Sequence, residues 1–147
     1  MNSEEMSIEK KKEYLSSYRN MQKRIINLRE QLESLREVER SAKGRRLTDM
    51  PKGGARQQDL SDLMVHIEEL RDKISDKIWE ANKIRVNIED AIAGLRDADE
   101  QRVLRLRYIE IKKVGTISAE MGYSPRQINR IHGRALKKIK MSDHVRF

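Results

Sequence analysis

At 147 residues, with 38% charged and only 4% aromatic side chains, the chain holds too little apolar material for one large core and reads as a small domain plus an extension. Cysteine is absent, which excludes a disulfide framework and a thiolate metal site. No run approaches an apolar membrane span, and the start Met1-Asn2-Ser3-Glu4-Glu5 lacks the order of a signal peptide, so a cytoplasmic protein with no membrane partner is expected. The net charge of +8 is unevenly placed: segments 1–39, 40–60, 61–95 and 96–147 carry 0, +4, −3 and +7. That asymmetry points to a polyanion partner for the middle connection and the C-terminal third.

In chain order, Tyr14, Tyr18, Met21, Ile25, Leu28, Leu32 and Leu35 alternate in steps of four and three, which places one apolar seam along a helix expected over about residues 4–40. Gly44, Pro51, Gly53 and Gly54, among clustered Arg and Lys, read as a flexible basic link over 41–58. A second seam follows in a helix expected over about 59–95, with Leu63, Ile67, Leu70, Ile74, Ala81, Ile84, Ile88, Ala91 and Leu95. Ile78, Trp79 and Val86 widen this stripe, and Tyr14, Tyr18 and Trp79 read as seam or flank packing. Two helices of similar length joined by a Gly-rich link suit an antiparallel, coiled-coil-like hairpin. Heptads pair equally well between chains, so homo-oligomerisation through this region stays open. The expected domains are therefore 1–95 and 96–147.

The last third has a different texture. Asp97 followed by Glu100 reads as a capping box, opening a helix with Val103, Leu104, Leu106, Tyr108 and Ile109 as its apolar residues. A short helix from Val114 to Met121 ends at Gly122, the residue that adopts the left-handed conformation most cheaply. Ser124-Pro125-Arg126-Gln127 then caps the final helix, with Pro at the first helical position and Gln127 completing a second box. Short helix, tight glycine turn and capped basic helix is the order of a helix-turn-helix, with Ile117 and Met121 packing on Ile128 and Ile131. The last helix would present Arg126, Gln127, Asn129, Arg130 and Arg134 outward. Arg reads guanine edges bidentately, and Asn or Gln reads adenine. Lys137, Lys138 and Lys140 fall beyond the base-reading turns and suit phosphates.

From Leu104 to Lys140, with LRLRY at 104–108 and TISAEMGYSPRQINRIHGRALKKIK at 116–140, the chain resembles region 4 of bacterial sigma factors. Met50-Pro51-Lys52-Gly53-Gly54, RYIE at 107–110 and IHGRAL at 131–136 resemble a phage and prophage family whose relatives are late-gene transcription activators of the RinA and ArpU type. The first resemblance implies base reading at Arg126, Asn129 and Arg130 and phosphate contact at Arg107 and Arg134, with Thr116 and Ser124 in the same DNA-facing set. The chain departs at Pro125, Arg126 and Asn129, where primary sigma factors usually carry Arg, Glu and Arg, so a different element would be read. It also lacks the aromatic-rich segment with which sigma factors melt promoters.

Together these features imply a sequence-specific, DNA-binding transcription regulator of a bacterial host's nucleoid, acting with host RNA polymerase. Two alternatives join a helix-turn-helix to helical extensions in the same way: a DNA-packaging recognition subunit of the small-terminase kind, and a helical regulator that binds RNA polymerase. Lys43, Arg45, Arg46, Lys52 and Arg56 form a candidate arm for the DNA backbone. His66, His132 and His144 lack ligand-spaced neighbours and read as packing or surface residues. Helix capping accounts for Asp97 and Asp99. No nucleophile–base pair, phosphate-cradling loop or metal set is present, so neither catalysis nor a cofactor is expected.

Overall fold

The structure, a computed structural model, describes the backbone of residues 3–48 and 54–140 and the side chains of 8–44 and 57–140. Among the described residues every element is helical and no strand occurs, in agreement with the expected all-α class. Two long helices, α1 (Ser3–Thr48) and α2 (Gly54–Ala93), precede three short ones. These are α3 (Ala98–Leu104), which runs on as a π-turn over Arg105–Ile109, α4 (Val114–Met121) and α5 (Pro125–Lys138).

The basic link expected over 41–58 is largely helical. α1 continues to Thr48 and α2 begins at Gly54, which leaves 49–53 outside the described residues. The cause is local. Arg40 donates to Glu33 and Glu37, Lys43 donates to Glu39, and one glycine at position 44 costs a helix only about 1 kcal/mol. Of the expected DNA-backbone arm, Lys43 is thus ion-paired on α1. Arg45 and Arg46 lie on α1 and Arg56 on α2, with side chains outside the described set, as is Lys52 altogether.

The chain divides into two compact units, Met1–Gln22 with Ala81–Phe147, and Lys23–Glu80. Both long helices contribute to both units. In the second unit Ile25, Ile67 and Ile74 are buried, while Leu28, Leu32, Leu35, Leu63 and Leu70 of the expected seams are half-buried. Trp79, expected to pack, is 65% exposed. Counted at about 100° per residue it lies on the side of α2 away from Ile67 and Ile74, so the widened stripe does not become core.

In the first unit the early turns of α1 bury Tyr14, Leu15 and Tyr18, and α2 and the turn after it bury Ala81, Ile88, Ile92 and Leu95. Val86, the other residue expected to widen the stripe, is exposed. Burial, with Asp90 as the second cause, pushes the Tyr14 phenol up to about 12. Leu15, fully buried beside Tyr14, was invisible to the heptad count. It lies off the seam, on a side of α1 that serves the same core.

Val103, Leu104, Leu106, Tyr108 and Ile109 of α3 and the π-turn are all buried. These five positions carry most of the inward side of the element, while Arg102 and Arg105 stay exposed. Its end is held by Glu110 N–H donating to the Arg105 carbonyl and Lys112 N–H to that of Leu106, with Ile111 between them at φ 57°. Ile117, Ile128 and Ile131 join Val103 and Leu106 in one cluster, flanked by Val114, Met121 and Tyr123. The packing of α4 on α5 is the one expected.

Candidate nucleic-acid interface

The angle between α4 and α5 is set in four residues. Gly122 takes φ 73° and ψ 22°, and its N–H donates to the Ser118 carbonyl at 3.0 Å. The Ser118 hydroxyl donates to the Tyr123 carbonyl, and the Tyr123 hydroxyl reaches Asp99 at 2.7 Å, tying the turn to α3. Ser124 then opens α5 with the full reciprocal cap. Its hydroxyl accepts from Gln127 N–H at 3.2 Å, and the Gln127 side-chain oxygen accepts from Ser124 N–H at 2.9 Å. Pro125 occupies the first turn, where its missing N–H costs nothing.

This cap engages two residues of the expected contact set. Bidentate reading of adenine needs both the oxygen and the nitrogen of an amide side chain, and the Gln127 oxygen is engaged at the helix start. The Ser124 hydroxyl accepts within the same cap and keeps its O–H as a donor. Both are exposed, and both serve to start the helix.

Below the cap, Ile128, Ile131, His132, Ala135 and Leu136 turn inward. Arg126, Asn129, Arg130, Gly133 and Lys137 fall within one arc of the opposite side at about 100° per residue, and all but the half-buried Gly133 are exposed. Arg126, Arg130 and Lys137 form no ion pair among the described residues. Thr116 on α4 is exposed as well. A stripe of uncommitted cations with one amide can meet phosphates and base edges together.

Arg134 and Lys138 lie beside that arc and have a partner within the fold. The Glu100 carboxylate is 1% exposed, and its Oε1 lies 2.9 Å from Lys138 Nζ and 3.6 Å from Arg134 Nε. The capping box expected at Asp97 and Glu100 is accordingly half formed. Asp97 accepts from the Glu100 N–H at 3.0 Å, while the Glu100 side chain turns away from the cap and into the interior.

Arg107, expected on phosphate, is half-buried beside Tyr108 and His132. Those two rings stack with centroids 5.7 Å apart, and the Tyr108 hydroxyl and His132 Nε2 are hydrogen-bonded at 2.7 Å. Burial, then the charges of Arg107 and Lys12, lowers the imidazole to about 4, so it is neutral at physiological pH. At the far end of α5, Lys11 Nζ donates to the carbonyls of Leu136 at 2.9 Å and Lys137 at 3.2 Å, closing the helix from α1. Nothing local in the sequence marks Lys11 or Glu100 for these contacts, which span 125 and 38 residues. Among the described residues, no group of three or more His, Cys, Asp or Glu is placed to hold a metal ion. No helix among them is long and apolar enough to cross a membrane.

Residues 40–140, which include both short helices and the turn between them, match the model of DUF1492, a family described as proteins of unknown function. The chain belongs to the DUF1492 family. The match takes in the end of α1, all of α2 and the whole capped, cation-bearing α4–α5 unit, so these parts belong to the DUF1492 pattern as one stretch. No curated protein and no solved structure matches the chain.

Proposed function

We propose that this protein is a sequence-specific DNA-binding transcription regulator, a phage-type late-gene activator acting with host RNA polymerase. On this reading α4 and α5 are a helix-turn-helix of the sigma region 4 kind, and α5 enters the major groove. α1 and α2 form the long helical hairpin, which makes contacts with polymerase or with further copies. The protein binds and does not catalyse.

One observation carries the reading. The first turns of α5 expose Arg126, Asn129 and Arg130 on a single side, unpaired within the described residues, directly after a turn pinned by a left-handed glycine and a reciprocal cap. A solvated helix face needs no such fixed entry, whereas a recognition helix does, because base contacts require its first turns at one depth and angle. Lys137 on the same side and Lys113 before α4, both exposed, suit the phosphates flanking such a contact.

The test is genome-wide mapping of bound DNA in the host, followed by footprinting of the recovered site. Arg126→Ala with Arg130→Ala removes two base contacts worth about 1–3 kcal/mol each, so site affinity falls at least about 30-fold with helical content unchanged. A folded double variant that still protects the site with wild-type affinity sinks the recognition-helix assignment.

A further inference from the structure

We propose that Glu100 is a positioning residue for α5: it holds Lys138 out of the phosphate-binding set and fixes the reach of Arg134. The proposal rests on the DNA-binding reading above and divides the cations of α5 into two kinds. Lys137 and Lys138 are adjacent and identical in type, yet the fold gives them different work. Lys137 is exposed with no ion pair among the described residues, whereas Lys138 is 2.9 Å from a carboxylate that is 1% exposed.

The contest between Glu100 and a phosphate is decided by solvation. A buried carboxylate is costly unless it is paired. Glu100 Oε2 has no hydrogen-bond partner, so the compensation falls on Oε1 and its two cations. Drawing Lys138 onto DNA would leave that carboxylate without its nearest cation, while the lysine would gain a solvent-screened contact at the surface. Lys138 therefore stays with Glu100. Arg134 differs because its ion pair uses Nε, at 3.6 Å, and a guanidinium carries five N–H donors. It is anchored on one edge and keeps donors for a phosphate. The consequence is a cationic face narrower than the sequence implies, centred on Arg126, Arg130 and Lys137 and bounded by a clamp between α3 and α5.

The experiment uses the full chain and a mixed-sequence DNA duplex, titrated between about 50 and 200 mM salt. Each phosphate contact contributes about 0.9 to the slope of log affinity against log salt, or about a 3.5-fold change over that range. Lys137→Ala should flatten the slope by about 0.9, Lys138→Ala should leave it unchanged, and Glu100→Gln should steepen it by about 0.9 as Lys138 is released. A thermal double-variant cycle of Glu100→Gln with Lys138→Ala, run without DNA, should show non-additive effects. A Lys138→Ala slope that flattens as much as that of Lys137→Ala overturns the proposal, and so does an additive cycle. Should Glu100→Gln not fold, the comparison of the two lysine variants still decides it. A wild-type chain that binds no duplex overturns the DNA reading itself, an outcome told apart from failure of the clamp because the cycle needs no DNA.

Discussion

His132 shows how much one residue's surroundings decide. In the sequence it is a histidine without ligand-spaced neighbours; in the fold it is buried, stacked on Tyr108 and bonded to that hydroxyl at 2.7 Å. Burial and two nearby cations depress its folded-state value to about 4, below the ordinary 6.5. Above pH 6.5 neither the folded nor the unfolded chain carries the proton, and the contribution to stability is intact. As pH falls from 6.5 towards 4 the unfolded chain takes up a proton that the folded chain refuses. Stability should therefore fall by up to about 3 kcal/mol over that window. Urea unfolding at pH 7, 6, 5 and 4 checks this, with His132→Gln as the control. A dependence equally steep in the control would place its origin elsewhere. The partners responsible stand 24 residues away or more, on α1 and the π-turn, so no window around His132 could have shown this. Gln127 gives the opposite lesson. Its capping role was legible three residues from Ser124, and the structure shows the bond itself at 2.9 Å.

At the scale of elements, α5 is specified at its start by its own sequence and at its end by another helix. The Ser124–Gln127 box is local, whereas the closure of the last turn comes from Lys11 of α1. Its middle holds an anomaly, Gly133, in a helix interior where glycine costs about 0.5–1 kcal/mol relative to alanine. A Cβ there would meet nothing within 4 Å, so the fold itself does not require the glycine. The position lies in the arc of Arg126, Asn129, Arg130 and Lys137, where a missing side chain lets another molecule approach the backbone. Gly133→Ala should raise stability by about 0.5–1 kcal/mol in thermal unfolding and weaken duplex binding in titration. A variant more stable and equally tight would remove close approach as the reason for the glycine. The connection between the long helices went the other way. Glycine and clustered charge read as a loop, but the i,i+4 ion pair of Lys43 with Glu39 and the lack of proline kept 41–48 helical.

At the scale of the molecule, the division into units follows where the core closes, and neither long helix belongs to one unit alone. The Lys23–Glu80 unit buries few residues and leaves Ile26, Val38, Met64, Val65 and Trp79 exposed. Trp79 is the only tryptophan, so its fluorescence reports on that surface directly. Free chain at low concentration should show the red-shifted, readily quenched emission of a solvated indole. Buried-type emission under those conditions would contradict the 65% exposure of this side chain. What the sequence alone determined was the helical class, both seams in outline, the left-handed turn at Gly122 and the cap that starts α5. Each of these depends on residues within a turn or two of one another. Which charges remain uncommitted depends on contacts that folding alone brings together. Lys137 and Lys138 are indistinguishable as letters, and they part company because one of them meets a carboxylate that folding has removed from water.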